Sequence, residues 1–195
     1  MKFSLYLLIL ILSRIGVQAG AIKGKVNYPG VARHGIAVVY AERIPKEPVL
    51  PPGALVILDQ VNLKFIPHVL PIVMGTTVRF PNSDEVRHNV FSFSPAKLFN
   101  LGIYRKGETR QVTFDQPGEV VLLCNIHSEM SAYVLVLETP YFTVTSEEGS
   151  YRLPGLPPGK YAVTVWHERF ESISTQVEIT AERDLPLGLK LMHSR

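Results

Sequence analysis

Short segments with a regular alternation of polar and apolar residues dominate the chain after its first 20 positions. This period-two pattern is clear in residues 76–80, 110–114 and 161–166, and it is typical of β-strands whose two faces meet different surroundings. Turn-forming sequences such as Gln116-Pro117-Gly118 and Pro157-Pro158-Gly159 separate these segments. No stretch shows sustained helical periodicity. The pattern therefore predicts an all-β chain built from sandwiches or barrels.

The first 19 residues have the layout of a secretory signal peptide. Lys2 precedes a mainly apolar stretch at 3–12, and small residues follow in Val17-Gln18-Ala19, which is the order found before a cleavage point. The apolar stretch is shorter than the roughly 20 residues of a membrane-spanning helix. We therefore expect residues 1–19 to be a signal peptide, and the protein to be periplasmic or secreted without stable membrane insertion.

The charge balance gives no indication of a nucleic-acid partner. The formal net charge of the 195-residue chain is +3, and two positive charges, Lys2 and Arg14, lie in the predicted signal peptide. A nearly neutral mature chain lacks the basic excess of nucleic-acid-binding proteins. We expect a monomer of one large or two small domains.

The single cysteine, Cys124, lies in the segment CNIHSEM between two apolar runs. It cannot form an internal disulfide, so it is either an inert core residue or a chemically active one. His127 and Met130 follow with the spacing Cys-x2-His-x2-Met, and His88 lies upstream where a loop enters a strand. Two imidazoles, a thiolate and a thioether are the ligand set of a mononuclear type 1 copper site, with methionine as the weak axial ligand.

Three alternatives to this ligand set stay open. Cys124 and Met130 could both be core residues, because methionine is a common filler of apolar cores. Glu129 could replace Met130 as a ligand, although a loop next to a strand more often directs such a side chain to solvent. Zinc is the competing metal, but structural zinc sites usually contain more thiolates.

Ordered motifs extend this pattern over residues 53–138, which resemble a cupredoxin with the short ligand-loop spacing of amicyanin. The matching residues are Phe65-Ile66-Pro67, Gly75-Thr76-Thr77-Val78, Asn82-Ser83-Asp84, His88-Asn89-Val90, Phe114-Asp115-Gln116-Pro117-Gly118, Cys124, His127 and Met130. The resemblance implies a Greek-key β-sandwich with one mononuclear type 1 copper site, ligated by His88, Cys124, His127 and Met130. It also implies that Asn89 ties the loop of the first histidine to the loop of the cysteine and screens the sulfur.

One residue of the ligand loop departs from the family pattern. Cupredoxins with this spacing often have proline just before the loop histidine, whereas this chain has Ile126, which keeps a backbone N–H. If that N–H reaches the sulfur of Cys124, it would stabilise Cu(I) and raise the reduction potential.

The segment after the copper motif resembles a different family, the carboxypeptidase regulatory-like (transthyretin-like) β-sandwich. Its motifs are Glu148-Gly149-Ser150-Tyr151 and Leu156-Pro157-Pro158-Gly159-Lys160-Tyr161. Such domains usually begin with strands that 139–192 lacks, and similar strands are found at 22–26 and 36–40.

We therefore predict a second, smaller β-sandwich that is split between 20–44 and 139–192. The cupredoxin domain, 53–138, would be inserted into it behind a proline-rich linker at 45–52. The competing hypothesis is two consecutive domains, with 20–44 adding strands to the cupredoxin.

Together these features predict an exported copper protein that carries single electrons and is not an enzyme. The resemblance implies that electrons enter through His127 on the exposed loop. The partner would be an exported redox protein such as a c-type cytochrome or a periplasmic dehydrogenase. The alternatives are a periplasmic copper-binding or delivery protein with the same ligands, and a metal-free interaction module that keeps only the fold. One His-Cys-His set cannot supply the trinuclear site of a multicopper oxidase.

Overall fold

The computed structural model describes residues 19–28, 36–44, 55–180 and 184–193. All regular secondary structure in these residues is β, which confirms the predicted fold class. Within the same ranges, no helix has the length and apolar character that crossing a membrane requires. The predicted signal peptide up to residue 18 and the predicted linker 45–52 lie outside the described residues.

The described residues contain 19 strands. They are β1 (Gly20–Asn27), β2 (Val38–Ile44), β3 (Val56–Ile57), β4 (Asp59–Val61), β5 (Lys64–Ile66), β6 (Val69–Val73), β7 (Thr76–Pro81), β8 (His88–Ser94), β9 (Lys97–Tyr104), β10 (Thr109–Phe114), β11 (Gly118–Leu123), β12 (Ser131–Leu137), β13 (Phe142–Val144), β14 (Ser150–Leu156), β15 (Gly159–His167), β16 (Phe170–Ile179), β17 (Leu185–Pro186), β18 (Leu189–Lys190) and β19 (Met192–His193).

One pair of sheets combines strands from both ends of the chain, and we call it the outer unit. In its first sheet, β1 lies between β14 and β17 and also pairs with β18. In its second sheet the strand order is β13-β2-β15-β16-β19. Strands β1 and β2 precede residues 53–138 in sequence, whereas all their partners follow that segment.

The buried faces of these strands explain why the outer unit holds together. Ile22 and Val26 on β1 are fully buried, as are Tyr161, Val163 and Val165 on β15, and all five belong to one apolar cluster. Their period-two spacing places each set on one face of its strand, where it is removed from water.

Gly24 allows β1 and the segment after β17 to approach each other closely. A β-carbon at this position would lie 1.7 Å from the backbone oxygen of Leu187, so any residue other than glycine would clash there. The close contact is secured by the N–H of Leu187, which donates to the Lys23 oxygen at 2.8 Å. Glycine is therefore required where β1 and the segment after β17 touch.

The second pair of sheets, which we call the central unit, lies between β3 and β12. One sheet has the order β10-β7-β3 and the other has the order β6-β12-β11-β8-β9, while β4 and β5 form a separate hairpin. Buried residues from both sheets, including Val78, Phe80, Phe114 and Leu122, form its core.

A third apolar cluster joins the two units. Val69, Leu135 and Leu137 of the central unit pack against Val38 and Trp166 of the outer unit, and all five are buried. Burial of this kind stabilises a contact in proportion to the apolar area removed from water. The two units therefore share a buried interface.

Polar contacts surround this interface. The indole N–H of Trp166 donates to Glu119 at 3.0 Å, and Nε2 of His68 lies 2.9 Å from a carboxylate oxygen of Glu168. The other ring nitrogen of His68 lies 3.1 Å from the backbone oxygen of Ser131. His68 therefore connects the turn between β15 and β16 to the start of β12.

Candidate metal centre

Three side chains of the central unit bring possible metal ligands together. One ligand atom each from His88, Cys124 and His127 lie within 4.8 Å of one another. In the described part of the chain, this is the one group of three or more His, Cys, Asp or Glu side chains with that geometry. His88 and Cys124 are buried, and His127 is half-buried.

The sheet order explains how residues far apart in sequence reach one place. His88 is the first residue of β8, and Cys124 directly follows β11. These two strands are antiparallel neighbours, with Leu123 paired to Phe91, so the start of one lies beside the end of the other. His127 is on the loop that leads from β11 into β12.

The ring of His88 has a defined orientation. Its Nε2 lies 3.0 Å from the Oδ2 atom of Asp84, and a carboxylate oxygen accepts hydrogen bonds. We therefore assign the proton to Nε2, which leaves the lone pair on Nδ1. That Nδ1 lies 3.1 Å from Nδ1 of His127.

The distance between these two nitrogens fits a shared metal ion. Two imidazole nitrogens that each lie about 2.0–2.1 Å from one ion are separated by roughly 3.1–3.6 Å for angles between about 100° and 120°. The observed 3.1 Å between the Nδ1 atoms of His88 and His127 falls at the lower end of this range. The buried thiol of Cys124 supplies the third ligand atom of the group, so the residues fit a mononuclear ion.

Asn89 connects the strand of the first histidine to the cysteine loop. Its side-chain oxygen accepts the N–H of Asn125 at 2.9 Å, and its amide nitrogen donates to the Asn100 side chain at 3.1 Å. Asn89 is only 1% exposed. One amide thus holds the residue after Cys124 against both β8 and β9.

Met130 lies at the end of the ligand loop, buried in the central core. It is 1% exposed and belongs to the same apolar cluster as Cys124. Its N–H donates to the backbone oxygen of His127 at 3.0 Å, which closes the loop in a turn. Glu129, the alternative ligand, is exposed. The axial role of Met130 stays a prediction.

Ile126 lies between the cysteine and the loop histidine, and 42% of it is exposed. A hydrogen bond from its N–H to the sulfur of Cys124 stays a prediction.

Asp84 is the site residue whose role the sequence analysis missed. Its Oδ2 atom accepts the N–H of Leu63 at 2.7 Å as well as the hydrogen bond from His88, and Oδ1 accepts the N–H of Glu85 at 3.2 Å. The bond from Leu63, followed by that from His88, holds the pKa of Asp84 below its usual value. The four-residue spacing from Asp84 to His88 is visible in the sequence, but the contact with Leu63 is not.

Comparison with family models matches part of the chain to one protein family. Residues 130–192 match the carboxypeptidase regulatory-like domain. No curated protein matches the chain.

Solved structures similar to this chain include cupredoxins and a larger copper enzyme. Amicyanin from Paracoccus versutus is 22% identical, with 50% of this chain and 98% of that chain covered and a TM-score of 0.41. A purple cupredoxin from Nitrosopumilus maritimus is 24% identical, with 42% of this chain and 99% of that chain covered and a TM-score of 0.39. A copper-containing nitrite reductase from Thermus scotoductus is 32% identical, with 48% of this chain covered and a TM-score of 0.42. The chain spans only 26% of that reductase.

Proposed function

We propose that this chain is an exported copper protein that carries single electrons through one mononuclear type 1 site. His88, Cys124 and His127 would hold the metal through two imidazole nitrogens and a thiolate, with Met130 as a weak axial ligand. The observation that carries the proposal is the convergence of the three ligand atoms within 4.8 Å. A soft sulfur beside two imidazoles favours copper over the harder divalent ions.

The residues of the site are arranged to limit structural change during electron transfer. Bound copper supplies a one-electron couple between Cu(II) and Cu(I). Asp84 fixes the ring of His88, and Asn89 fixes the loop that follows Cys124. Because His88 and the loop after Cys124 are held by these hydrogen bonds, they would keep one geometry in both oxidation states. Burial of His88 and Cys124 keeps bulk water away from the site.

His127 is the proposed point at which electrons enter. It is half-buried, whereas the more deeply placed His88 is fully buried. Ile126, which directly precedes His127 on the ligand loop, is 42% exposed. An exposed apolar side chain beside a half-buried ligand suits a short-lived contact with another protein. We propose that the partner is an exported redox protein such as a c-type cytochrome or a periplasmic dehydrogenase.

We also propose that the central unit is inserted into the outer unit. The support comes from strand pairing, because β1 pairs with β14 from Gly20 to Lys25 and β2 pairs with β15 from Val38 to Ile44. Both contacts join residues before the central unit to residues after it. The outer unit would then hold the central unit at both of its ends. We propose no catalytic role for the chain.

An absorption and electron paramagnetic resonance experiment tests the copper site. Wild-type protein loaded with Cu(II) should show an intense thiolate-to-copper charge-transfer band and a small copper hyperfine splitting, because of covalency between copper and Cys124. Cys124→Ser should abolish the band, since a hydroxyl is a hard, neutral donor. His68→Gln is the matched control, because His68 lies outside the ligand group, and it should keep the wild-type spectrum. A band that survives in Cys124→Ser would refute the assignment.

A further inference from the structure

The carboxylate of Asp84 links a metal-ligand candidate to a separate hairpin. On one side, its Oδ2 atom lies 3.0 Å from Nε2 of His88. On the other side, the same oxygen accepts the N–H of Leu63 at 2.7 Å, in the turn between β4 and β5. The Asp84 side chain is 14% exposed and that of His88 is 0% exposed. The contact is therefore largely removed from solvent screening.

The turn of this hairpin is shaped to present the N–H of Leu63. Asn62 and Leu63 both have positive φ, 52° and 58°, which is the backbone of a two-residue type I′ hairpin turn. Asparagine tolerates this left-handed conformation better than most residues. Leucine does not favour it, so the conformation at Leu63 depends on the contacts around it, of which the bond to Asp84 is one.

The hairpin holds the loop before His88 at a second point. The hydroxyl of Ser83 donates to Asp59 at 2.7 Å, and the N–H of Ser83 donates to the backbone oxygen of Gln60 at 3.1 Å. Asp84 thus cannot move away from His88 without breaking several hydrogen bonds. Its position is held by β4 and by the turn that follows β4.

A fixed carboxylate on Nε2 has two consequences for the ring of His88. It holds the proton on that nitrogen, so that Nδ1 offers its lone pair to the site, and it prevents the ring from rotating. It also places a negative charge next to the ligand. A negative charge near the metal favours Cu(II), the more highly charged state.

We propose that Asp84 is a positioning residue of the metal centre. It selects the Nε2–H tautomer of His88, fixes the orientation of the ring, and lowers the reduction potential of the bound copper. The statement about the potential rests on the proposed copper function, whereas the statement about the tautomer and the ring does not.

The first experiment uses the full chain without metal. Nitrogen-15 NMR of the imidazole rings reports which nitrogen of His88 carries the proton. Wild type should show the Nε2–H tautomer, and Asp84→Asn should keep it because the amide oxygen can still accept the hydrogen bond. Asp84→Ala should shift the population toward the Nδ1–H form. A His88 tautomer that is the same in all three proteins, or an Nδ1–H form in wild type, would overturn the positioning role.

The second experiment measures reduction potentials of the copper-loaded proteins. Asp84→Asn keeps the hydrogen bond and removes the charge, so its potential should rise by about 59 mV, which corresponds to a tenfold change in the ratio of Cu(I) to Cu(II) affinity. Glu85→Gln is the matched control, because it removes the same charge one position along, on a side chain that is 81% exposed and paired with Lys106. Its potential should stay at the wild-type value.

Equal potentials in Asp84→Asn and Glu85→Gln would overturn the role of the charge. A wild-type chain that binds no copper would instead refute the proposed function, and the tautomer measurement would then decide the role of Asp84 without any metal.

Discussion

Replacement of Met130 by leucine separates two roles that a buried methionine can have. Met130 is 1% exposed and packs in the cluster that contains Cys124 and the core of the central unit. Leucine has a similar volume, so the metal-free protein should lose less than about 1.5 kcal/mol of unfolding free energy. Met130→Ala removes most of the side chain and should cost about 2–5 kcal/mol. Packing alone therefore predicts an effect on stability and none on the copper couple.

Ligation predicts a different pattern. Loss of a weak thioether ligand disfavours Cu(II) more than Cu(I), so Met130→Leu should keep the blue colour and raise the reduction potential. A tenfold change in the affinity ratio corresponds to about 59 mV, and we expect a shift of that order. Met130→Gln should lower the potential, because an amide oxygen is a harder donor than a thioether.

Two measurements separate these patterns. Redox titration followed at the charge-transfer band gives the potentials, and urea unfolding of the metal-free proteins gives the packing cost. Identical potentials in wild type, Met130→Leu and Met130→Gln, together with a large packing cost for Met130→Ala, would show that Met130 is a core residue and that the axial position belongs to another group.

Two further predictions concern the outer unit and its connection to the central unit. Burial raises the pKa of Tyr151 to about 12, so folding favours the neutral phenol. The contribution of this phenol to the free energy of unfolding should be fully present below about pH 10 and should decline toward pH 12. Tyr151→Phe should make that decline less steep by up to about 1.4 kcal/mol per pH unit. Urea unfolding at several alkaline pH values measures the free energy of unfolding, which should fall less steeply with pH in the variant than in wild type. Equal slopes in the two proteins would contradict the prediction. Fragment 53–138 should fold and bind copper although it loses the cover of Trp166, whereas fragment 20–138 should aggregate, because β1 and β2 keep their apolar faces without partners. Solubility and copper spectra compare the two, and a soluble blue 20–138 beside an unfolded 53–138 would rule out the insertion.

Local features of the fold and the residue types of the site follow from the sequence alone. The alternation at 76–80, 110–114 and 161–166 lies within β7, β10 and β15, because period-two spacing is a property of neighbouring residues. The candidate ligands could be named for a similar reason. The chemistry of one thiol, two imidazoles and a thioether is carried by the side chains themselves, and three of the four lie on one short loop.

Only the tertiary structure decides which distant residues meet. His88 and His127 are 39 positions apart, and their nitrogens come within 3.1 Å because β8 and β11 are neighbours in one sheet. The support of Asp84 by Leu63 depends on where the β4–β5 hairpin lies, and the contact of His68 with Glu168 spans 100 positions. Alternating segments predict strands and their buried faces, but they do not specify which strands pair. That choice is made by the packing of whole sheets. The packing places Trp166 and Glu168 of the outer unit against the central unit, and it places Asp84 in contact with His88.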